Sequence, residues 1–174
     1  FAGGESTAAT ARSVDFDGSD DLRMSGSSDF AFGTGDFTFE AWIKPDSWSN
    51  TYHTIFCTSD TGGIFIGKHT NDFVFRVFNV QMELTYGTLP PLNQWTHVAF
   101  AREGTNLRLF YNGTLVKTAT SSYNFSVTST YAYIGSDSQT AQAFYGEISN
   151  LRIVKGTAVY TSSFRPPTEP LTNI

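Results

Sequence analysis

Apolar and polar residues alternate one for one along most of this chain. Between Asp36 and Pro45, Phe37, Phe39, Ala41 and Ile43 share one phase. Thr38, Glu40 and Lys44 share the other. Side chains of a β-strand point alternately to its two faces, so this pattern marks a half-buried strand and excludes an amphipathic helix. The same alternation returns at Val14 and Phe16, at Phe73, Phe75 and Val77, at Met82, Leu84 and Tyr86, and at Leu107, Leu109 and Tyr111. Trp95 to Arg102 is a further strong strand, and Asn112-Gly113 is a hairpin turn signal. Roughly a dozen short strands at spacings of about 8–12 residues predict an all-β fold, a two-sheet antiparallel β-sandwich of jelly-roll type. One strand breaks its own rhythm. Ile148 keeps the phase of Phe144 and Gly146, whereas Leu151 and Ile153 take the opposite phase. A β-bulge at Ser149-Asn150 would return both to the core. The single helical candidate is one turn near Thr157–Tyr160.

Composition agrees and narrows the function. Aromatic residues make up 16% of the chain, 16 of them Phe. Charged residues are also 16%, against about 25% in an average soluble domain. A net charge of −5 without a Lys/Arg cluster argues against nucleic acid as a partner. No apolar run is long enough for membrane insertion. The chain opens on Phe1 with no basic-then-apolar leader, so it reads as a processed product or a segment of something longer. Residues 1–11 are small and polar and read as an N-terminal arm or linker. Residues 12–174 form the domain, closed by a Pro-rich wrap through Phe164-Arg165-Pro166-Pro167.

Chemistry-bearing motifs are scarce. The sequence has no G-x-S-x-G elbow, no H-E-x-x-H and no Cys/His metal cluster, so no catalytic residue is assigned. Cys57 reads as a small buried hydrophobe, and His97 as a packed structural residue. Trp42, out of phase with Phe37 and Phe39, reads as packed beneath a second layer. The candidate ligand residues sit in loops. Trp48 and Tyr52 lie in the polar segment Ser47–Tyr52, and Asp60 and Asp137 lie beside glycines. An indole gives a pyranose ring an apolar face to stack on, while loop carboxylates and carbonyls take its hydroxyls. The competing reading has Trp48 covering an edge of the core and both Asp residues in ordinary turns.

Several stretches, in order, carry a family resemblance. Gln94-Trp95-Thr96-His97-Val98-Ala99 followed by Leu107-Arg108-Leu109-Phe110-Tyr111-Asn112-Gly113 resembles the W-x-H-V-A strand and L-x-L-Y-x-N-G hairpin of LamG-like jelly rolls. These belong to the concanavalin A-like lectin/glucanase superfamily. Phe37-Thr38-Phe39-Glu40-Ala41-Trp42 is similar to the family's F-T-x-E-A-W strand, and Tyr133-Ile134-Gly135 and Gly146–Ile153 to its closing strands. Ile148–Tyr160 with Phe164–Pro167 is similar to LamG-like domains in structural proteins of tailed phages. The resemblance implies a non-enzymatic, lectin-like binding and display module, with glycan recognition or surface adhesion as its work. The implied setting is a virion fibre, a decoration protein or an extracellular appendage. Its implied partners are a glycan or cell-surface polysaccharide and copies of itself in a homo-oligomer or larger assembly. The alternatives are a purely structural packing domain without a sugar ligand and, third, a glycoside hydrolase or lyase. The superfamily's glucanases carry an E-x-D-x-x-E strand that this sequence lacks. Many members hold calcium with an Asp just before the closing V-R-[VI] segment. That position is Ser149 here, so the resemblance implies calcium without supplying its carboxylate.

Overall fold

The structure is a computed structural model, and it describes residues 12–58, 63–77, 81–126, 129–137 and 142–172. Twelve strands make up the described fold: β1 (Ser13–Asp17), β2 (Leu22–Ser25), β3 (Phe37–Pro45), β4 (Tyr52–Thr58), β5 (Ile64–His69) and β6 (Asp72–Val77), then β7 (Gln81–Tyr86), β8 (Thr96–Glu103), β9 (Asn106–Tyr111), β10 (Thr114–Thr120), β11 (Tyr131–Ile134) and β12 (Tyr145–Lys155). One sheet has the order β1-β12-β3-β8-β9-β10 and the other β2-β11-β4-β5-β6-β7, with every neighbouring pair antiparallel. The sandwich expected from the alternation is therefore the fold. The arm expected at 1–11 lies outside the described residues.

Phenylalanine fills the space between the sheets. Phe73 on β6 stacks on Phe100 of β8 at 5.8 Å, and Phe37 and Phe39 on β3 meet Phe75 and Phe56 of the facing sheet. Each such pair adds about 0.5–1.5 kcal/mol beyond the area it buries. Phe16, Phe37, Phe39, Val98, Phe100, Leu107 and Leu109 are buried as the alternation requires, and Leu151 and Ile153 pack partly buried against this core. Val14 departs from the pattern at 44% exposed. It sits on the edge strand β1, where the facing edge strand β2 stands off and leaves a groove between Val14, Leu22 and Ile134.

The phase break in β12 is a β-bulge. Ser149 pairs with Trp42 and Arg152 with Glu40, so three steps on β12 match two on β3. Asn150 takes up the extra residue in the left-handed region, at φ 48°. No helix forms at 157–160; that segment is bent, and Ser28–Phe30 makes a 3₁₀ turn. Thr157 and Val159 are instead tied to the Thr38 hydroxyl, which donates to the Thr157 carbonyl and accepts from the Val159 N–H. That bonding starts a C-terminal strap across the outer face of the β1-containing sheet. No described helix is long and apolar enough to cross a membrane.

Candidate functional site: an aromatic cleft beside the C-terminal strap

Residues of β3 that face away from the core are Thr38, Glu40, Trp42 and Lys44, because Ala41 and Ile43 face inward. The strap covers the first two. Phe164 and Tyr160 stack on each other at 3.5 Å and pack over Ala99, Ala101 and Phe110. Beneath them Glu40 is fully buried. Its Oε1 accepts from Arg152 Nε at 2.8 Å, and its Oε2 accepts from the Tyr160 hydroxyl at 2.8 Å and meets His97 Nε2 at 3.1 Å. Burial opposes the charge on Glu40, but the hydrogen bonds from His97, Tyr160 and Arg152, with the Arg152 charge, outweigh it and hold the carboxyl below its ordinary pKa. Burial and the same carboxylate push the Tyr160 phenol up. This network anchors the strap, and it places His97 in the structural role expected of it.

Trp42 lies beyond the strap's cover. Its Nε1 donates to the Pro167 carbonyl at 3.1 Å, which fixes the indole and the strap's end together. With Trp95, Ser13 and Ser149 it lines a cleft of about 320 Å³. Asn150 of the bulge and Pro167 and Thr168 of the strap complete the wall. Trp95 stands just before β8 and is 40% exposed. The bulge matters here, because it lets Ile148 and Leu151 both pack on the core while Asn150 turns to the cleft. The volume falls at the small end of ligand sites, and the lining combines two indoles with hydroxyl and amide groups.

The residues expected to bind from sequence are dispersed. Trp48 covers an edge of the inter-sheet core, edge-on to His53 at 5.3 Å and against Phe144 at 5.8 Å, and its Nε1 donates to the Pro90 carbonyl. Tyr52 belongs to a separate cluster on the outer face of the other sheet, stacked on His69 at 4.6 Å. Asp60 lies outside the described residues. Asp137 is buried, not solvated at a rim, and stands near Cys57. The Cys57 thiol donates to the Ser136 carbonyl, and burial with the charges of Asp137 and Asp21 pushes its pKa up, so it is an inert packing residue as expected.

The cleft residues were each visible in sequence but not as a site. Trp42 and Trp95 both take the outward phase, with Glu40 and with His97. Two outward tryptophans, one on β3 and one just ahead of the neighbouring β8, are the signal that joins them. Calcium does not fit the Ser149 position. The hydroxyl donates to the Arg12 carbonyl at 2.8 Å, and the described residues hold no group of three His, Cys, Asp or Glu side chains for a metal.

The loop carrying Trp48 should be acid-sensitive. His53 Nε2 accepts the Asn50 N–H at 3.0 Å, which requires an unprotonated nitrogen, and Lys68 Nζ donates to the Asn50 carbonyl. Burial, and then the Lys68 charge, lower the His53 pKa from 6.5 to about 4. The unfolded chain therefore takes up a proton between these values that the folded chain refuses. Stability is full above pH 6.5 and falls as the pH drops toward 4. Melting temperature measured across that range should show the loss, and His53→Gln, whose amide oxygen still accepts from Asn50, should show less of it.

Residues 16–159 match the sequence model of the Laminin_G_3 family, described as concanavalin A-like lectin/glucanases superfamily. No curated protein sequence matches the chain significantly. Among solved structures, domain 4 of AbnA, a GH43 extracellular arabinanase from Geobacillus stearothermophilus solved with arabinotriose, aligns at TM-score 0.66 and 20% identity, over 83% of this chain and 70% of that one. A heptameric SAP-like pentraxin from Limulus polyphemus aligns at TM-score 0.59 and 16% identity, over 81% and 74%. Domains LG4-5 of the mouse laminin alpha1 chain align at TM-score 0.60 and 17% identity, over 82% of this chain and 41% of that one. At these identities the alignments speak to the fold, and the match over 16–159 speaks to descent: the chain belongs to the Laminin_G_3 family of the concanavalin A-like lectin/glucanases superfamily.

Proposed function

We propose that this domain is a non-enzymatic glycan-binding module whose site is the Trp42–Trp95 cleft. The observation that carries the reading is a pair of indoles lining one open cleft together with hydroxyl and amide groups. Indole faces take the apolar face of a sugar ring, and small polar groups take its hydroxyls. The complex of the arabinanase domain with arabinotriose supports the same class of ligand. A binding role, not a hydrolytic one, is supported by the carboxylates beside the cleft. Glu40 is enclosed under the strap, and Glu147 bonds Lys44 and Ser13. The setting we propose is a virion fibre, decoration protein or extracellular appendage, supported by the likeness of 148–160 and 164–167 to phage structural domains.

The test is a glycan array with wild type and Trp95→Ala. Trp95 is exposed enough that its truncation leaves the fold intact, which an unchanged melting temperature would verify. Binding to the best neutral oligosaccharides should fall about tenfold, the loss expected when an aromatic contact worth about 1.4 kcal/mol is removed. Equal binding by both proteins would overturn the reading. A packing role is favoured by one observation. The cleft is walled by Ser13 of the first strand and by the C-terminal strap, so a neighbouring subunit or domain would meet it. Concentration-dependent sedimentation abolished by Trp95→Ala, with no glycan bound, would mark that case.

A further inference from the structure

We propose that the cleft selects uncharged glycans and turns anionic ones away. The inference rests on the glycan reading above and adds the substrate class. It follows from the charge pattern around the cleft.

Every residue lining the cleft is uncharged. The neighbouring row of the same sheet face is not. Strand register places Ser13, Ser149 and Trp42 side by side in one row. Two residues along each strand, Asp15, Glu147 and Lys44 form the next row. Side chains two residues apart share a face and lie about 7 Å from one another. This acidic row therefore borders the cleft directly. Its one cation is already committed, since Lys44 Nζ donates to Glu147 Oε1 at 2.7 Å. The Glu147 Oε2 accepts from the Ser13 hydroxyl at 2.5 Å, so a carboxylate sits immediately behind a lining residue. Lys44 also feels the fields of Asp46 and Asp15. Three carboxylates thus surround one ammonium at this rim.

Other cations do not redress the balance. The Arg152 guanidinium is held by Glu40 and by the Thr172 carbonyl. Arg12 lines the adjoining groove near Leu22 and is not among the residues of the cleft wall, and its carbonyl accepts from the Ser149 hydroxyl. On the strap, the charges of exposed Arg165 and Glu169 cancel. A carboxylated or sulfated sugar entering the cleft would lose water without meeting a cationic donor, and would approach the carboxylates of the neighbouring row. A neutral sugar meets neither cost.

The experiment compares matched oligosaccharides on one array: neutral pentose and hexose chains, and counterparts bearing uronic acid, sialic acid or sulfate. Wild type, Trp95→Ala and Asp15→Lys are tested at low and at physiological salt. Asp15 is exposed on an edge strand and lines no part of the cleft, so its replacement leaves the wall unchanged. The expected result is Trp95-dependent binding of neutral chains at least about tenfold tighter than their anionic counterparts at low salt, a gap that narrows as salt screens the rim. Asp15→Lys should narrow it several-fold without weakening the neutral ligand. Trp95-dependent binding that is equal for both classes, or tighter for the anionic one, overturns the selectivity and leaves the glycan site standing. The absence of Trp95-dependent binding to any glycan overturns the site itself, and the selectivity with it.

Discussion

Replacing Glu40 by Ala should lower the melting temperature by about 10 °C. The carboxylate is fully buried and serves three donors at once, Arg152, His97 and Tyr160. Its removal leaves a guanidinium, an imidazole and a phenol facing an apolar hole beneath the strap. Breaking a buried ion pair from one side costs about 3–5 kcal/mol; the surviving Arg152 side chain is 15% exposed, so the lower end of that range applies. For a domain of this size each kcal/mol moves the midpoint by about 2–4 °C. A melting temperature within about 2 °C of wild type would show that the network does not hold the strap. The pH dependence has a defined sign. The folded pKa of Glu40 lies below its value in the unfolded chain, so the unfolded state protonates first as acid is added. Its contribution is complete above the ordinary carboxylate range and disappears as the pH falls through the depressed folded value. That window opens at the ordinary carboxylate range, at the lower end of the one set by His53. Glu40→Gln should flatten the acid limb from the carboxylate range downward and leave the loss that sets in above that range unchanged.

Much of this fold was legible because its rule is local. Alternation decides which face of a strand is inward, and Phe37, Phe39, Val98, Phe100, Leu107 and Leu109 are buried on that basis alone. The bulge at Asn150 was legible for the same reason, since a phase change inside one strand has few structural solutions. Val14 was not, because alternation cannot say which strand is an edge; that depends on strand order, a non-local property. The site was harder for a related reason. Trp48 stands in a polar loop, where an indole invites a binding role, yet it closes the core through Phe144 and His53, both brought there by the fold. Trp42 and Trp95 are 53 positions apart in the sequence. They line one cleft only because β3 pairs with β8. Glu40, Arg152 and Tyr160 form one network although three different parts of the chain supply them. The outward phase of Glu40 and Arg152 could be read from the sequence, but the strap that brings Tyr160 to them and makes this a buried face could not.

Gly113→Ala should separate the strap from the sheet and, with the proposed glycan site at the cleft, weaken binding there as well. Asn112 and Gly113 both have positive φ, at 47° and 76°, as the tight β9–β10 turn demands. A Cβ on Gly113 would lie 1.9 Å from the Phe164 carbonyl oxygen, a backbone atom that cannot swing aside. The Phe164 N–H in turn donates to the Gly113 carbonyl at 2.8 Å, so the turn and the strap are locked to each other. Gly104 supplies the control. It has φ +57° in the neighbouring hairpin, and a methyl group added there would meet no atom within 4 Å. Gly104→Ala should therefore carry only the left-handed strain of about 1–2 kcal/mol. Gly113→Ala carries that strain and the collision, so it should melt lower than Gly104→Ala by several degrees. Hydrogen exchange at the Phe164 amide should accelerate in Gly113→Ala alone. Pro167 and Thr168 follow Phe164 by three and four residues, so the cleft loses one wall when the strap lifts. Glycan binding should then fall at least about tenfold in Gly113→Ala and stay near wild type in Gly104→Ala, a ratio equal to about 1.4 kcal/mol. Accelerated exchange at Phe164 with undiminished binding would show that the strap is no part of the site. Unchanged exchange would show that the sheet can yield to the added methyl while the strap stays in place.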